Sequence, residues 1–276
     1  MHFPRLSYWL VCLAIVLALL DAALGRREHA DAPPPPPPLP AAEGQVLAQA
    51  APIDPALLIK VTPLAGHPAG VAFSVADRGV WLTARSVVAG CARAAILTGG
   101  GQGVVAAIAP GATSDVAVLT TASGAPALGL AGGGPPHAAL VFAPGFVAGR
   151  PAEAATRVEG EEALRRPGRD GRGATTVLVL AEIGRTEGLT GSLAGLAGAP
   201  ALDVAGRVVG VILGDAPRRG RLYAAPPAAI AAALRAANAR PAAQAGGAAL
   251  STDDYGVTAD DLRRSLRVAQ VVCTRA

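Results

Sequence analysis

The chain has 276 residues, of which 51% are hydrophobic and only 3% are aromatic. A chain of this length and apolarity can bury a core, which excludes disorder throughout, and the core must consist of small aliphatic side chains. The formal net charge of +4 comes almost wholly from arginine without interleaved aromatic residues, so the sequence does not favour nucleic-acid binding.

The first 25 residues predict an export segment. A basic residue, Arg5, precedes an apolar run over residues 6–20, and small residues end the segment. Because this run is short for a membrane span of roughly 20 residues, we expect at residues 1–25 either a cleaved signal peptide or an uncleaved anchor. The protein is therefore expected in the periplasm, or attached to the inner membrane through residues 6–20 and facing the periplasm.

Two segments of biased amino-acid composition divide the rest of the chain. Residues 26–52 contain the proline run Pro33–Pro38 and predict a disordered spacer. Residues 241–250 are rich in alanine and glycine and predict a linker, which leaves a main domain at 53–240 and a tail at 251–276. In the tail, Thr258 and Asp261 form a capping-box pattern that predicts the start of a short helix, and residues 268–273 fit either a strand or more helix.

Short apolar runs punctuated by glycine and proline fill the main domain. Such runs predict many short strands and an all-β barrel or sandwich. An alanine-rich helix at residues 228–239 is the exception. The predicted strands are 59–61, 71–75, 80–83, 94–98, 104–108, 117–120, 138–142, 176–180, 208–213 and 222–224.

Four segments follow one another in an order that carries information. They read GVAFSVADRGVWLTARSVVAGC at 70–91, TSDVAVLT at 113–120, GLAGAP at 195–200 and GRLYAAPPAAIAAAL at 220–234. In that order they resemble the histidine, aspartate and nucleophile segments and the closing strand and helix of trypsin-like serine proteases of the HtrA type. The resemblance implies an all-β fold of two packed six-stranded antiparallel β-barrels, with a C-terminal helix and a short tail.

The resemblance also assigns positions in the catalytic triad. Ser86 stands at the histidine position and Asp115 at the aspartate position, both on the first barrel, and Ala197 stands at the nucleophile position on the second. Gly195, Ala197 and Gly198 would form the oxyanion loop, in which Ala199 replaces a glycine of the family pattern. The 26 residues after the second linker are too few for the peptide-binding PDZ domain that usually follows in this family.

These positions predict a degenerate site. The methyl group of Ala197 cannot attack a carbonyl, and the Ser86 hydroxyl cannot serve as a base near neutral pH. We therefore expect a pseudoprotease that needs no cofactor and binds a peptide or protein partner in the cleft between the barrels. The alternatives are an active endopeptidase with Ser192 as a shifted nucleophile, with His67 or His137 as replacement base, and a non-enzymatic envelope scaffold.

Two further expectations concern structure. Once the leader is removed, Cys91 and Cys273 remain, and in an oxidising compartment they would form a disulfide or stay as two thiols. Neither has a neighbouring cysteine or histidine at metal-ligand spacing, so no metal site is expected. The charged residues 153–173 predict a surface loop, either disordered or docking a partner.

Overall fold

The computed structural model describes residues 13, 15, 16, 57–65, 69–110, 115–165, 174–243 and 247–274. In the leader, Leu13, Ile15 and Val16 are helical and exposed. The rest of the predicted export segment at 1–25 and the proline-rich spacer at 26–52 lie outside the described residues. Within the described part of the chain, no helix is long and apolar enough to cross a membrane.

Thirteen strands and three α-helices make up the described fold. The strands are β1 (Ile59–Lys60), β2 (Gly70–Ala76), β3 (Val80–Ala84), β4 (Arg93–Gly99), β5 (Gln102–Ile108), β6 (Val116–Thr120), β7 (Leu140–Val147), β8 (Arg150–Arg165), β9 (Ala174–Arg185), β10 (Pro200–Leu202), β11 (Val208–Ala216), β12 (Arg221–Ala225) and β13 (Val268–Thr274). The helices are α1 (Arg85–Val88), α2 (Pro227–Ala236) and α3 (Tyr255–Arg264).

The strands close into two antiparallel barrels. The first runs β5-β4-β13-β2-β3-β6 and closes through pairing of β5 with β6, while β1 adds to the edge of β5. The second runs β10-β11-β12-β9-β8-β7 and closes through pairing of β10 with β7. Each barrel has six strands, so the predicted fold class is confirmed.

The core consists mainly of small aliphatic side chains, as the composition predicts. Alanine, valine and leucine dominate the buried side chains, and Trp81, Phe73 and Phe142 are among the few large ones. Strands β2 and β3 are buried along almost their whole length because they lie between the interior of the first barrel and the second barrel. The two barrels therefore share one apolar interface.

The prediction of a surface loop at residues 153–173 is wrong for 153–165. These residues belong to β8, the longest described strand, which pairs with β7 and with β9. Ala154, Ala155 and Val158 are buried in a segment that also carries many charged residues, so the strand is easily missed in the sequence. Residues 166–173 lie outside the described residues.

The tail is part of the first barrel. Strand β13 lies between β2 and β4, with Val268 opposite Phe73 and Val271 opposite Ile96. The main domain drawn at 53–240 therefore lacks one of its own barrel strands. Helix α3 begins at Tyr255, three residues before the predicted capping box, and packs against β7 and β8 of the second barrel.

Of the two alternatives left open for Cys91 and Cys273, the structure shows the disulfide. It joins the segment after α1 to β13, with the two Cα atoms 5.4 Å apart and a sequence separation of 182. The bond fastens the tail strand beside the helix that carries Ser86.

Candidate active-site cleft

Ser86 and Asp115 lie side by side on the first barrel. Strand β3 ends at Ala84, which pairs with Val116 of β6, and the chain turns directly into α1. The Arg85 N–H donates to the Asp115 carbonyl at 2.8 Å, which brings the backbone on either side of the strand ends together. Ser86 is exposed in α1 and Asp115 is half-buried at the start of β6.

The segment with Ala197 comes from the second barrel and touches the same place. The Val71 N–H donates to the Ala197 carbonyl at 2.9 Å. At Gly198, whose φ is +89°, a Cβ atom would lie 2.0 Å from the Val71 oxygen and 2.3 Å from Thr83 Oγ1. Only glycine fits here. The contact of Gly198 with Thr83 places Ala197 close to the end of β3, and Thr83 lies three residues before Ser86.

The loop before Ala197 forms a short 3-10 turn at Ala194–Leu196. The Ala197 N–H donates to the Ala194 carbonyl at 3.0 Å. The resemblance makes this N–H one of the two donors of an oxyanion hole, and here it is engaged inside the turn. The expected oxyanion donor at Ala197 is therefore not presented to the cleft in this conformation.

Ser192 is held in a hydrogen-bonded turn. Its Oγ donates to Asp215 Oδ2 at 2.9 Å and accepts the Ala194 N–H at 3.1 Å. His137 is exposed at the entry to β7, with Nδ1 3.0 Å from the Glu159 carbonyl oxygen, and takes no part in these contacts. His67 lies outside the described residues.

Other candidate sites are separate from this cleft. One cavity of about 570 Å³ is lined by residues 131–136 together with Leu140, Asp203 and Arg207, and another of about 250 Å³ lies against α2. Neither is lined by Ser86, Asp115 or Ala197. Among the described residues, no group of three or more histidine, cysteine or acidic side chains could hold a metal ion.

Comparison with known families shows to which family the chain belongs. The model of the trypsin-like peptidase domain family matches residues 70–211, more than half of the chain. The chain belongs to the trypsin-like peptidase domain family. The resemblance drawn from the four sequence segments is thereby confirmed. A search of curated proteins gave no significant match.

Solved structures agree with the fold. The active form of the Rv3671c protease from M. tuberculosis has a TM-score of 0.54 at 22% identity, covering 76% of this chain and 98% of that one. A serine-to-alanine mutant of the same protease, in an inactive form, has a TM-score of 0.51 at 22% identity, covering 71% and 100%. The HtrA-type protease AlgW with a decapeptide gives 0.47 at 17% identity, covering 61% and 51%.

One residue of this trypsin-like peptidase domain escaped the sequence reasoning. Asp215, at the end of β11, accepts the Leu193 N–H at 2.6 Å as well as the Ser192 hydroxyl. It lies 18 residues after Ala197 in a stretch without a recognisable motif, so nothing in the sequence linked it to the turn.

Proposed function

We propose that this trypsin-like domain is an exported pseudoprotease that binds an extended peptide or protein partner in the cleft between its barrels. The observation that carries the proposal is the identity of the residues at the histidine and nucleophile positions, which are Ser86 and Ala197. Two contacts support it: Arg85, next to Ser86, donates to the Asp115 carbonyl on the first barrel, and the Ala197 carbonyl accepts the N–H of Val71, a residue of that same barrel.

Peptide hydrolysis by a triad requires a hydroxyl and an imidazole oriented by a carboxylate. Ala197 lacks the hydroxyl, and Ser86, at the histidine position, lacks the imidazole. Loss of the nucleophile or the base lowers turnover by on the order of 10⁶, and loss of both costs little more because they act as a unit. Both halves of the same proton transfer are missing.

A binding surface remains where the chemistry is lost. Strand β11 pairs with β10 only as far as Val211, and among the described residues the stretch Leu213–Ala216 has a strand partner only in β12. An open strand edge beside the cleft can accept an extended peptide as an added strand. Main-chain hydrogen bonds would then supply affinity without any catalytic side chain.

Export is supported by two features. The apolar run at residues 6–20 has the charge and length pattern of an export segment. The Cys91–Cys273 disulfide is typical of proteins that fold in an oxidising compartment. We place the protein in the periplasm or on the periplasmic face of the inner membrane.

The rival endopeptidase would use Ser192, whose hydroxyl contacts the Asp215 carboxylate. Near neutral pH a carboxylate is a less effective general base than an imidazole, and the contact is equally that of a serine in a turn. Treatment with a fluorophosphonate probe separates the two. We expect no serine of the wild-type protein to be labelled, and labelling of Ser192 would overturn the pseudoprotease proposal.

Restoration tests the assignment of positions. In the double variant Ser86→His with Ala197→Ser, we expect fluorophosphonate labelling at residue 197 and weak hydrolysis of a p-nitrophenyl ester. Each single variant is the matched control and is expected to stay at background, because one half of the proton transfer is still missing.

Binding is tested by panning a phage-displayed random peptide library against the purified domain. We expect enriched peptides whose affinity falls about tenfold or more when a central backbone amide is N-methylated, since this removes a strand hydrogen bond. Enrichment of no peptide would favour the scaffold alternative.

A further inference from the structure

We propose that Asp215 is an autoinhibitory latch on the turn that carries Ala197. Its carboxylate holds Ser192 and Leu193, so that the turn stays closed with the Ala197 N–H directed onto Ala194. The inference rests on the proposed function only in assigning regulation to the same cleft, and the contacts that carry it are independent of any ligand.

The carboxylate binds two consecutive residues of the loop. Asp215 Oδ2 accepts the Leu193 N–H at 2.6 Å and the Ser192 hydroxyl at 2.9 Å. Among the described residues, Asp215 makes no ion pair, so its charge is directed at these donors. Hydrogen bonds to an ionised carboxylate are stronger than those between neutral groups.

The contacts continue from the latch to Ala197. Ser192 Oγ accepts the Ala194 N–H at 3.1 Å, and the 3-10 turn that follows directs the Ala197 N–H onto the Ala194 carbonyl at 3.0 Å. The first amides of a helical turn have no partner within the turn, and here a carboxylate and a hydroxyl satisfy them. The closed turn is therefore stabilised from outside itself, by a side chain on β11.

The base of the loop is fastened separately. Arg185 pairs with Glu182, and its Nη1 donates to the Gly191 carbonyl at 2.8 Å. Gly191 has a φ of +78°, and the space around its missing Cβ is open. Motion on release of the latch is thus confined to residues between Gly191 and Gly198, since Gly198 is fixed against the first barrel.

The latch lies on the surface that a partner would use. Asp215 belongs to the Leu213–Ala216 edge of β11, so a strand added there contacts the residue that holds the turn. A ligand opens the turn only if it binds the open state better than the closed one. A closed turn withholds the Ala197 N–H from a ligand carbonyl, which makes the contact autoinhibitory.

Amide hydrogen exchange followed by NMR on the free, disulfide-bonded domain tests the latch. In Asp215→Ala, we expect the amides of Leu193 and Ala197 to exchange roughly 10- to 100-fold faster, which corresponds to the loss of hydrogen bonds to a charged acceptor. Asp215→Asn keeps the shape and one oxygen acceptor and should give a smaller acceleration. This conservative variant keeps the test decisive if the alanine variant folds poorly.

Internal and matched controls are available on the same barrel. The Gly198 and Ile212 amides, which bond across to Ile212 and Ala199 carbonyls, should exchange as in the wild type. Asp203→Ala, which removes a carboxylate that caps the Ala205 and Arg207 amides of another turn, should leave the Ala197 amide unchanged.

Two results would overturn the latch. One is wild-type exchange at Leu193 and Ala197 in both Asp215 variants, and the other is equal acceleration at Gly198 and Ile212, which indicates general loosening of the barrel. Neither result bears on fluorophosphonate labelling or peptide binding, so failure of the latch and failure of the proposed function are distinguishable.

Discussion

The ion pair between Glu153 and Arg263 joins the tail helix to the second barrel, and its removal is the sharpest test of the architecture. Arg263 Nη1 lies 3.1 Å from Glu153 Oε2, and the two side chains are 0% and 2% exposed. The perturbation is Glu153→Gln, which keeps the shape of the side chain and removes the negative charge that faces the guanidinium.

Removing one partner of a buried ion pair costs about 3 to 5 kcal/mol of unfolding free energy. For a domain of this size, that loss corresponds to a fall in Tm of about 6 to 20 °C. The double variant Glu153→Gln with Arg263→Met removes both charges of the pair, so it should recover most of the loss. The two single effects are therefore expected to be strongly non-additive.

Reversible urea denaturation of the disulfide-bonded domain measures these differences. Arg207→Met is the matched control, because Arg207 pairs with Asp203 on the surface and its side chain is 57% exposed. We expect that control to change the unfolding free energy by less than about 1 kcal/mol. The reasoning is refuted if Glu153→Gln costs no more than the control, or if the double variant costs the sum of its singles.

Three further predictions concern the same framework. Gly198→Ala should lower the unfolding free energy in urea by more than about 2 kcal/mol, because of its left-handed backbone and close contacts, whereas Gly132→Ala, in open space, should not. Cys273→Ala should cost roughly 2 to 5 kcal/mol in the same assay. Hydrogen bonds from Ser251 lower the pKa of Asp254. The stabilisation from these bonds is therefore present above the ordinary pKa of Asp254 and is lost as the pH falls. The unfolding free energies of Ser251→Ala and of the wild type should converge in acid.

The fold could be predicted because the four segments occur in a recognisable order along the chain, and each has a fixed place in the backbone of the fold. GLAGAP is weak alone, but Gly198 is required where a Cβ would strike Val71 and Thr83. The meeting of the Ser86 and Asp115 segments likewise follows from backbone pairing at the ends of β3 and β6, which does not depend on the catalytic side chains. The fold can therefore be recognised whichever side chains stand at positions 86 and 197.

The parts that could not be predicted depend on long-range contacts. Strand β8 carries Glu153 as a buried residue, and its charge is paired with the distant Arg263. Nothing in the sequence indicated where the tail strand would pair, because its partners Phe73 and Ile96 belong to strands in the first half of the chain. Asp215 was missed for the same reason, since its role is defined by the amides it accepts.

The tail explains how the cleft keeps its shape. Strand β13 completes the first barrel, its Cys273 is bonded to Cys91 just after α1, and α3 sets Arg263 against the second barrel. The helix that carries Ser86 is thus tied to the same segment that binds the opposite barrel. Because no tail residue belongs to the triad positions, the tail acts by fixing one barrel against the other. With the barrels fixed in this way, the proposed binding of a partner would require a conformational change only at the Asp215 turn, since the barrels themselves are already in place.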